Sequence, residues 1–215
     1  MDKSPRHWIY TLIPEAELDK PNVYMYGYLL EYDDQIIHLK APPDLHHAVK
    51  NAKHLDDKNY ELVGDIKYEK VIFDKIGDNP LSIKLDEFFT YHINQLIRGG
   101  DVAKEWKGKI KKMNAWINVM KAGEYQPLHS HQGEFSWVWY TDVPEEIRKE
   151  CELNEDGDGK YARGLIQFYS KHTSQTLTFN PKEGDIFLFR SSHQHQVYPF
   201  YSDNTRISVA GNIHL

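Results

Sequence analysis

The chain has 215 residues, of which 40% are hydrophobic and 27% are charged, a balance typical of a globular protein. Its net charge of −6 provides no basic footprint for double-stranded nucleic acid, and no apolar run approaches the roughly 20 residues of a membrane-spanning helix. The N-terminal residues carry no apolar secretion signal and Cys151 is the only cysteine, so we expect a disulfide-free cytoplasmic protein without a nucleic-acid or membrane partner.

The first half of the chain carries secondary-structure signals but little recognisable chemistry. β-branched and aromatic residues predict strands over residues 7–13 and 23–30. A proline opens a short predicted helix at 43–52, and the helical spacing of apolar residues predicts a longer helix over 81–97, which a Gly-Gly pair ends. Residues 101–112 are polar and basic and predict either a further short helix or a linker.

The second half of the chain is dominated by short strand-like segments. They are rich in β-branched and aromatic residues and lie at 116–120, 135–141, 164–169, 176–179, 185–189 and 206–213. Short strands at regular spacing, with turn residues between them, indicate a β-sandwich or barrel. We therefore predict a β core over residues 101–215, on which the N-terminal strands and helices of residues 1–100 pack within one structural domain.

Two pairs of histidines stand at the ends of predicted strands. His129 and His131 are two positions apart, so in an extended segment both imidazoles point to the same side. His193 and His195 follow a later strand directly. Because Fe(II), Zn and Cu bind imidazole nitrogen readily, the pattern predicts a metal site.

Arg206 and Ser208 open the last predicted strand and share one of its faces. A buried arginine on a strand needs an anionic partner, because an unpaired buried charge is too costly. The planar guanidinium matches a carboxylate through two parallel hydrogen bonds, so this pair predicts a carboxylate site.

The order of these residues resembles that of the Fe(II)/2-oxoglutarate-dependent oxygenases, in which a His-x-Asp/Glu pair, a distal His and an Arg-x-Ser follow one another. The resemblance covers about residues 113–214 and looks closest to small bacterial and phage-borne members of the family. The segments that carry it are Gly123, His129-Ser130-His131, Trp137-Val138-Trp139-Tyr140, Gly184-Asp185-Ile186-Phe187-Leu188-Phe189, His195-Gln196-Val197 and Arg206-Ile207-Ser208-Val209-Ala210-Gly211-Asn212.

The resemblance implies a mainly β fold, a double-stranded β-helix or jelly roll with flanking helices, that uses Fe(II), 2-oxoglutarate and O2. His129 and His195 match iron ligands of the family. Arg206 and Ser208 match the residues that bind the distal carboxylate of 2-oxoglutarate. Further polar residues on inward strand faces could line the co-substrate pocket, namely Asn118, Tyr140, Gln167 and Asn212.

The sequence departs from the family at the acidic ligand, where it has His131 in place of Asp or Glu. Three alternatives follow. His131 coordinates the metal itself, Glu134 reaches back from the following turn, or the third position is left to water or an anion. We favour His131, although a site of three histidines would also suit zinc.

The resulting prediction is an enzyme, an Fe(II)- and 2-oxoglutarate-dependent dioxygenase that hydroxylates a C–H bond and releases succinate and CO2. Its substrate would be a small molecule or a peptide or protein side chain, in the cytoplasm of a bacterium or a phage-infected host. The alternatives are a cupin-type metalloprotein that does not use 2-oxoglutarate, or a non-enzymatic jelly-roll binding or structural module. For His193 we favour a position at the surface over one beside the metal ligands, and we expect no functional role for the remaining eight histidines.

Overall fold

The computed structural model of the chain describes residues 9–11, 25–30, 34–52, 64–96, 106–152, 162–169 and 176–215. In chain order the described elements are β1 (Ile9–Thr11), β2 (Met25–Leu30), β3 (Asp34–Lys40), α1 (Pro43–Lys50), β4 (Tyr68–Phe73), α2 (Pro80–Leu96), β5 (Lys112–Met113), β6 (Ala115–Lys121), β7 (Gln126–His129), β8 (Phe135–Asp142), α3 (Glu145–Glu152), β9 (Ile166–Tyr169), β10 (Thr176–Phe179), β11 (Asp185–Arg190), β12 (Gln194–Val197) and β13 (Thr205–His214). No helix in these ranges is long and apolar enough to cross a membrane.

The strands form two antiparallel sheets. The larger sheet has the spatial order β1-β2-β3-β11-β8-β13-β6-β4, with β5 pairing along the end of β13. The smaller sheet has the order β10-β9-β12-β7. Strands β1 to β4 therefore lie in the same sheet as strands of the second half, while the division near residue 100 stays a prediction.

Helix α2 covers one face of the larger sheet. Its residues Phe89 and Ile93 lie one turn apart and are fully buried. The Phe89 ring packs on Trp137 of β8 with 4.8 Å between the ring centroids. Val209 of β13 belongs to the same apolar cluster. Because side chains alternate along a strand, the side chains on the other face of β13 point away from α2 and toward the smaller sheet.

Most of the predicted elements are confirmed wherever the structure describes them. The predicted helices at 43–52 and 81–97 correspond to α1 and α2, and the six strands of the second half are all present. Parts of the predicted strands 7–13 and 23–30, and residues 101–105 of the next predicted segment, lie outside the described residues. Residues 106–112 form no helix, and their last residue begins β5.

Strands β3, β4, β5 and β12 and helix α3 were not predicted from the sequence. In β3 the apolar positions Ile36 and Ile37 are adjacent rather than alternating, and both are buried. A strand that is buried on both faces loses the alternation by which strands are recognised. β3 has this environment because Ile37 packs in the apolar cluster of α2 on one face, while Ile36 packs in the cluster of Phe168 on the other.

Candidate functional site

Three histidines meet on the smaller sheet. His195 of β12 lies directly opposite His129 of β7 in the antiparallel register. His131 follows β7, and its backbone N–H donates to the carbonyl of Ser191 at 2.8 Å. The ring centroids are 4.3 Å apart for His129 and His195, 4.8 Å for His129 and His131, and 5.1 Å for His131 and His195. One nitrogen from each ring lies within 4.8 Å of the others, so the cluster could hold a metal ion.

Backbone carbonyls orient two of these rings. The Nδ1 atom of His129 lies 2.7 Å from the carbonyl oxygen of Pro127, and Nδ1 of His195 lies 3.2 Å from that of His193. A carbonyl can only accept a hydrogen bond, so Nδ1 carries the proton in both rings and Nε2 keeps its lone pair. Such an outer hydrogen bond commonly fixes the tautomer of a metal-binding histidine.

The surroundings keep His129 and His195 in the neutral form that a metal requires. His195 is 4% exposed and packs against Phe168 and Phe189, at 5.7 and 4.7 Å between ring centroids. Burial, followed by the neighbouring imidazoles of the cluster, holds the pKa of His195 well below its usual value of 6.5. Burial also lowers the pKa of His129.

The sequence had led us to expect His193 at the surface, but the structure places it in the interior. Its side chain is completely buried and its ring lies 5.7 Å from that of Phe168. The side chain does not join the three-histidine cluster. Its backbone carbonyl is the group that orients His195, so His193 contributes to the cluster through the main chain.

Glu134 takes no part in the cluster. Its carboxylate accepts a hydrogen bond from the backbone N–H of Leu215 at 2.9 Å and lies 4.0 Å from Nδ1 of His214. Among the described residues, the group of possible ligands consists of His129, His131 and His195. Of the two residues considered for the third position, the structure therefore brings His131 to the cluster.

A cavity of about 520 Å³ lies between the two sheets and contains the cluster. It is lined by eight of the residues that the sequence placed in the site, namely Asn118, His129, His131, Tyr140, His195, Arg206, Ser208 and Asn212. Gln167 does not line it, so that expectation was wrong. Gln167 alternates with Ile166 and Phe168, which are fully buried, and its amide donates to Thr178 on the other face of the smaller sheet.

Arg206 closes one end of this cavity. It is 2% exposed, and its guanidinium donates to the carbonyl of Gly164 and, at 2.9 Å, to the sulfur of Met120. The guanidinium carbon also lies 5.5 Å from the ring centroids of both Tyr140 and Phe200. These contacts hold a positive charge in place inside an apolar surrounding, where it acts more strongly on an anion than in water.

A row of polar side chains lies next to Arg206 across three strands. Ser208 of β13 is paired with Asn118 of β6 and with Tyr140 of β8. The Oδ1 atom of Asn118 is buried and has no hydrogen-bond partner among the described residues. An unsatisfied buried acceptor is costly unless a ligand or water pairs with it, which marks this row as a place for a ligand.

The next row along the strands contains residues that sequence reasoning missed. Ala210 is paired with Trp116 on one side and Val138 on the other, and all three line the cavity. The Trp116 ring lies 6.1 Å from that of His131. Trp116 falls two positions before Asn118, so strand alternation alone would have placed both on the same face.

Comparison with known proteins gives a family and a fold. Residues 114–212 match the model of a family described as "Putative 2OG-Fe(II) oxygenase". The matched segment contains all eight cavity-lining residues named above. No curated protein sequence matches the chain.

Two solved structures share the architecture at low sequence identity. A prolyl-4-hydroxylase from Pseudomonas putida is 13% identical, with a TM-score of 0.55, over 83% of this chain and 91% of that one. An oxidoreductase of the 2OG-Fe(II) oxygenase family from Burkholderia pseudomallei is 14% identical, with a TM-score of 0.52, over 93% and 87% of the two chains. The two-sheet structure is thus the jelly roll that the sequence predicted.

The jelly roll and the matched segment define a 2-oxoglutarate-dependent oxygenase domain that spans residues 114–212. This matched segment is of the Fe(II)- and 2-oxoglutarate-dependent oxygenase class, whose members use Fe(II), 2-oxoglutarate and O2. The expected family, fold and cofactors are confirmed, and the cupin-type and non-enzymatic alternatives are set aside.

Proposed function

We propose that His129, His131 and His195 bind Fe(II), and that 2-oxoglutarate lies between this metal and Arg206. The proposal is carried by one observation, the presence of the three-histidine cluster and a buried arginine in the same cavity. The reaction would be hydroxylation of a substrate C–H bond, with one oxygen atom of O2 entering the product and the other entering succinate. 2-Oxoglutarate would lose its carboxyl carbon as CO2.

The donor set fits a divalent transition metal. Three neutral imidazoles suit Fe(II). Because they carry no charge, the ion keeps both of its positive charges, whereas a carboxylate ligand would cancel one of them. A dianionic co-substrate then complements that charge. The two Nε2 lone pairs fixed by carbonyls on His129 and His195 supply a preformed part of the ligand set.

The inner part of the cavity fits 2-oxoglutarate. Arg206 and Ala210 lie four positions apart on β13, about 13 Å at the usual rise of a strand. The Trp116–Ala210 row marks the level of the cluster, because the Trp116 ring lies 6.1 Å from that of His131. Arg206 and Ser208 would bind the distal carboxylate at one end, while the 2-oxo acid end faces the histidines.

Two further polar residues, Asn118 and Tyr140, would position the co-substrate. Asn118 and Tyr140 lie in the row of Ser208, between Arg206 and the cluster. Asn212 lies two residues further out than Ala210 on the same face of β13. Apolar residues of the smaller sheet and of β11, including Ile166 and Phe189, line the same space and exclude water from it.

With iron, 2-oxoglutarate and O2 bound, the site supplies the oxidising chemistry, and the chain supplies position and electrostatics. Arg206 holds the co-substrate through charge and geometry. His129 and His195, whose pKa values burial lowers, stay neutral and keep their metal-facing nitrogens unprotonated. Neither role requires a proton to move on the protein.

The proposal is tested by anaerobic addition of Fe(II) and 2-oxoglutarate, followed by air and assay of succinate. We expect 2-oxoglutarate to bind in calorimetry and succinate to form slowly even without a substrate. The same protein loaded with Zn(II) is the matched control, and it should bind 2-oxoglutarate without forming succinate. Absence of both binding and succinate in the Fe(II) protein would overturn the proposal.

A further inference from the structure

We infer that the substrate of this oxygenase carries a carboxylate, which binds at the outer end of the cavity to Lys112, Asn114 and Asn212. The inference rests on the proposed function, because it takes the inner end of the cavity as the place of 2-oxoglutarate. It names a class of substrate that the family and the fold leave open.

The cavity continues past the three-histidine cluster. Alternate residues of β13 line it from end to end, namely Arg206, Ser208, Ala210, Asn212 and His214. Because the cluster lies at the level of Ala210, a further stretch of about 13 Å runs from there to His214. A cavity of about 520 Å³ accepts a ligand of drug size, which exceeds 2-oxoglutarate alone. The outer stretch therefore has room for a second small molecule.

The outer end presents hydrogen-bond donors. The Oδ1 atom of Asn114 accepts from the backbone N–H of Asn212 at 2.9 Å, and Oδ1 of Asn212 accepts from the hydroxyl of Ser136 at 2.8 Å. With both amide oxygens engaged inside the protein, the two –NH2 groups are the polar ends left for a ligand. Lys112 lies opposite His214 in the β5–β13 pair, and both line the cavity.

The charged residues that line the cavity also favour a carboxylate. Its described lining residues include Lys112 and Arg206 but no Asp or Glu, although the chain as a whole carries a charge of −6. Glu134, which lies beside His214, is outside the lining, and its carboxylate accepts from the backbone of Leu215. Amide donors and an ammonium group that line the same end of a cavity select a carboxylate, which only accepts hydrogen bonds and carries the opposite charge.

These two ends fix how the substrate would lie. Its carboxylate would bind the outer donors, and a C–H bond a few atoms away would face the histidine cluster. That C–H bond becomes C–OH, while 2-oxoglutarate gives succinate and CO2. The primary amide of the same acid should be rejected, because its own –NH2 group would meet further donors.

The test measures succinate production with the twenty L-amino acids and, in parallel, with their primary amides. At least one free acid should raise the rate about fivefold or more, and its amide should not. Lys112→Met should raise the KM for that acid by about tenfold or more and leave the KM for 2-oxoglutarate unchanged. Lys111→Met is the matched control, since Lys111 is exposed, adjacent and outside the cavity lining.

Three results would each overturn the inference. The first is equal stimulation of succinate production by the acids and by their amides. The second is that no acid stimulates succinate production or binds in calorimetry. The third is an identical KM for the acid in Lys112→Met and Lys111→Met. Tripeptides with a free or an amidated C-terminus form a second arm. Stimulation by the free tripeptides alone would place the required carboxylate at the end of a peptide.

Calorimetry of 2-oxoglutarate on the same preparation separates this inference from the proposed function. If 2-oxoglutarate binds and the acids do not, the outer site is wrong and the proposed function stands. If 2-oxoglutarate does not bind, the proposed function fails. The shift in melting temperature caused by the acids, compared between Lys112→Met and Lys111→Met, then still reports on the outer donors.

Discussion

His195 lies directly opposite His129 in the β7–β12 pair, with 4.3 Å between the two ring centroids. The pairing brings together residues that are 66 positions apart in the sequence. A shift of the register by one residue would turn one of the two rings to the other face of the sheet. The position of this candidate metal-binding pair is therefore set by the backbone pairing of the smaller sheet.

The role of His131 predicts how the metal site responds to substitution. His131→Ala should lower the affinity for Fe(II) by about tenfold or more, because it removes one of three nitrogen ligands. Glu134→Gln should leave the affinity unchanged, since the carboxylate of Glu134 is bound to the backbone of Leu215. Anaerobic metal titration measures both. The reverse pattern would assign the third ligand to Glu134.

Arg206 should act on 2-oxoglutarate rather than on the metal. Arg206→Lys keeps the charge but loses the planar fork, so we expect the Kd for 2-oxoglutarate to rise by about tenfold or more. Ser208→Ala removes a single hydrogen bond and should weaken the binding free energy of 2-oxoglutarate by about 1 kcal/mol. Metal content should stay at the wild-type level in both variants, as measured by elemental analysis. An equal loss of metal and 2-oxoglutarate in Arg206→Lys would refute the division of roles.

His92 should make the protein less stable in mild acid. This residue of α2 is 4% exposed, contacts Phe88 at 4.5 Å between ring centroids, and has a pKa that burial lowers to about 4. The unfolded chain binds the proton near pH 6.5, so stability is complete above that pH and is lost as the pH falls toward 4. At pH 5.0 the loss relative to pH 7.5 is about 2 kcal/mol.

Urea unfolding of the wild type and of His92→Leu at the two pH values isolates this effect. The variant should lose about 2 kcal/mol less than the wild type between pH 7.5 and pH 5.0. His47→Gln, at an exposed position of α1, is the control and should follow the wild type. Equal losses in the wild type and His92→Leu would show that His92 does not set the acid sensitivity.

Gly211 should tolerate no side chain. A Cβ atom at this position would lie 2.1 Å from the carbonyl oxygen of Asn114 and 2.6 Å from the Trp137 ring, so β13 and its neighbours would have to move. We expect Gly211→Ala to cost about 3 kcal/mol, at the upper end of overpacking in a core. Gly123→Ala is a milder comparison, because its φ of +80° disfavours alanine but the space around it is open. Thermal unfolding that ranks the two variants equally would contradict this.

Sequence reasoning reached the site more completely than the fold around it. His129 and His131, and likewise Arg206 and Ser208, could be placed on common faces because a strand has a period of two. The same rule missed the outer end of the cavity, since Lys112 and Asn114 fall in a segment with no strand pattern of its own. Their position follows from pairing with β13, and a sequence does not state which strands pair.

His193 shows a different limit. It stands in a short polar segment, Ser191 to Gln196, that looks exposed by composition. Alternate residues of the segment turn inward where β11 leads into β12, so that Ser191 and His193 are fully buried while Ser192 and Gln194 stay exposed. Burial of a polar loop depends on what covers it, which only the assembled sheets determine.

The contrast between an acidic chain and a cationic cavity has a consequence for the rate of ligand entry. The charge of −6 repels an approaching dianion over a distance of about 10 Å at 0.1 M salt, and added salt weakens that repulsion. The buried charge of Arg206 is screened much less. Moderate ionic strength should therefore speed the association of 2-oxoglutarate while its dissociation rate stays the same, the opposite of an enzyme whose whole surface attracts its ligand.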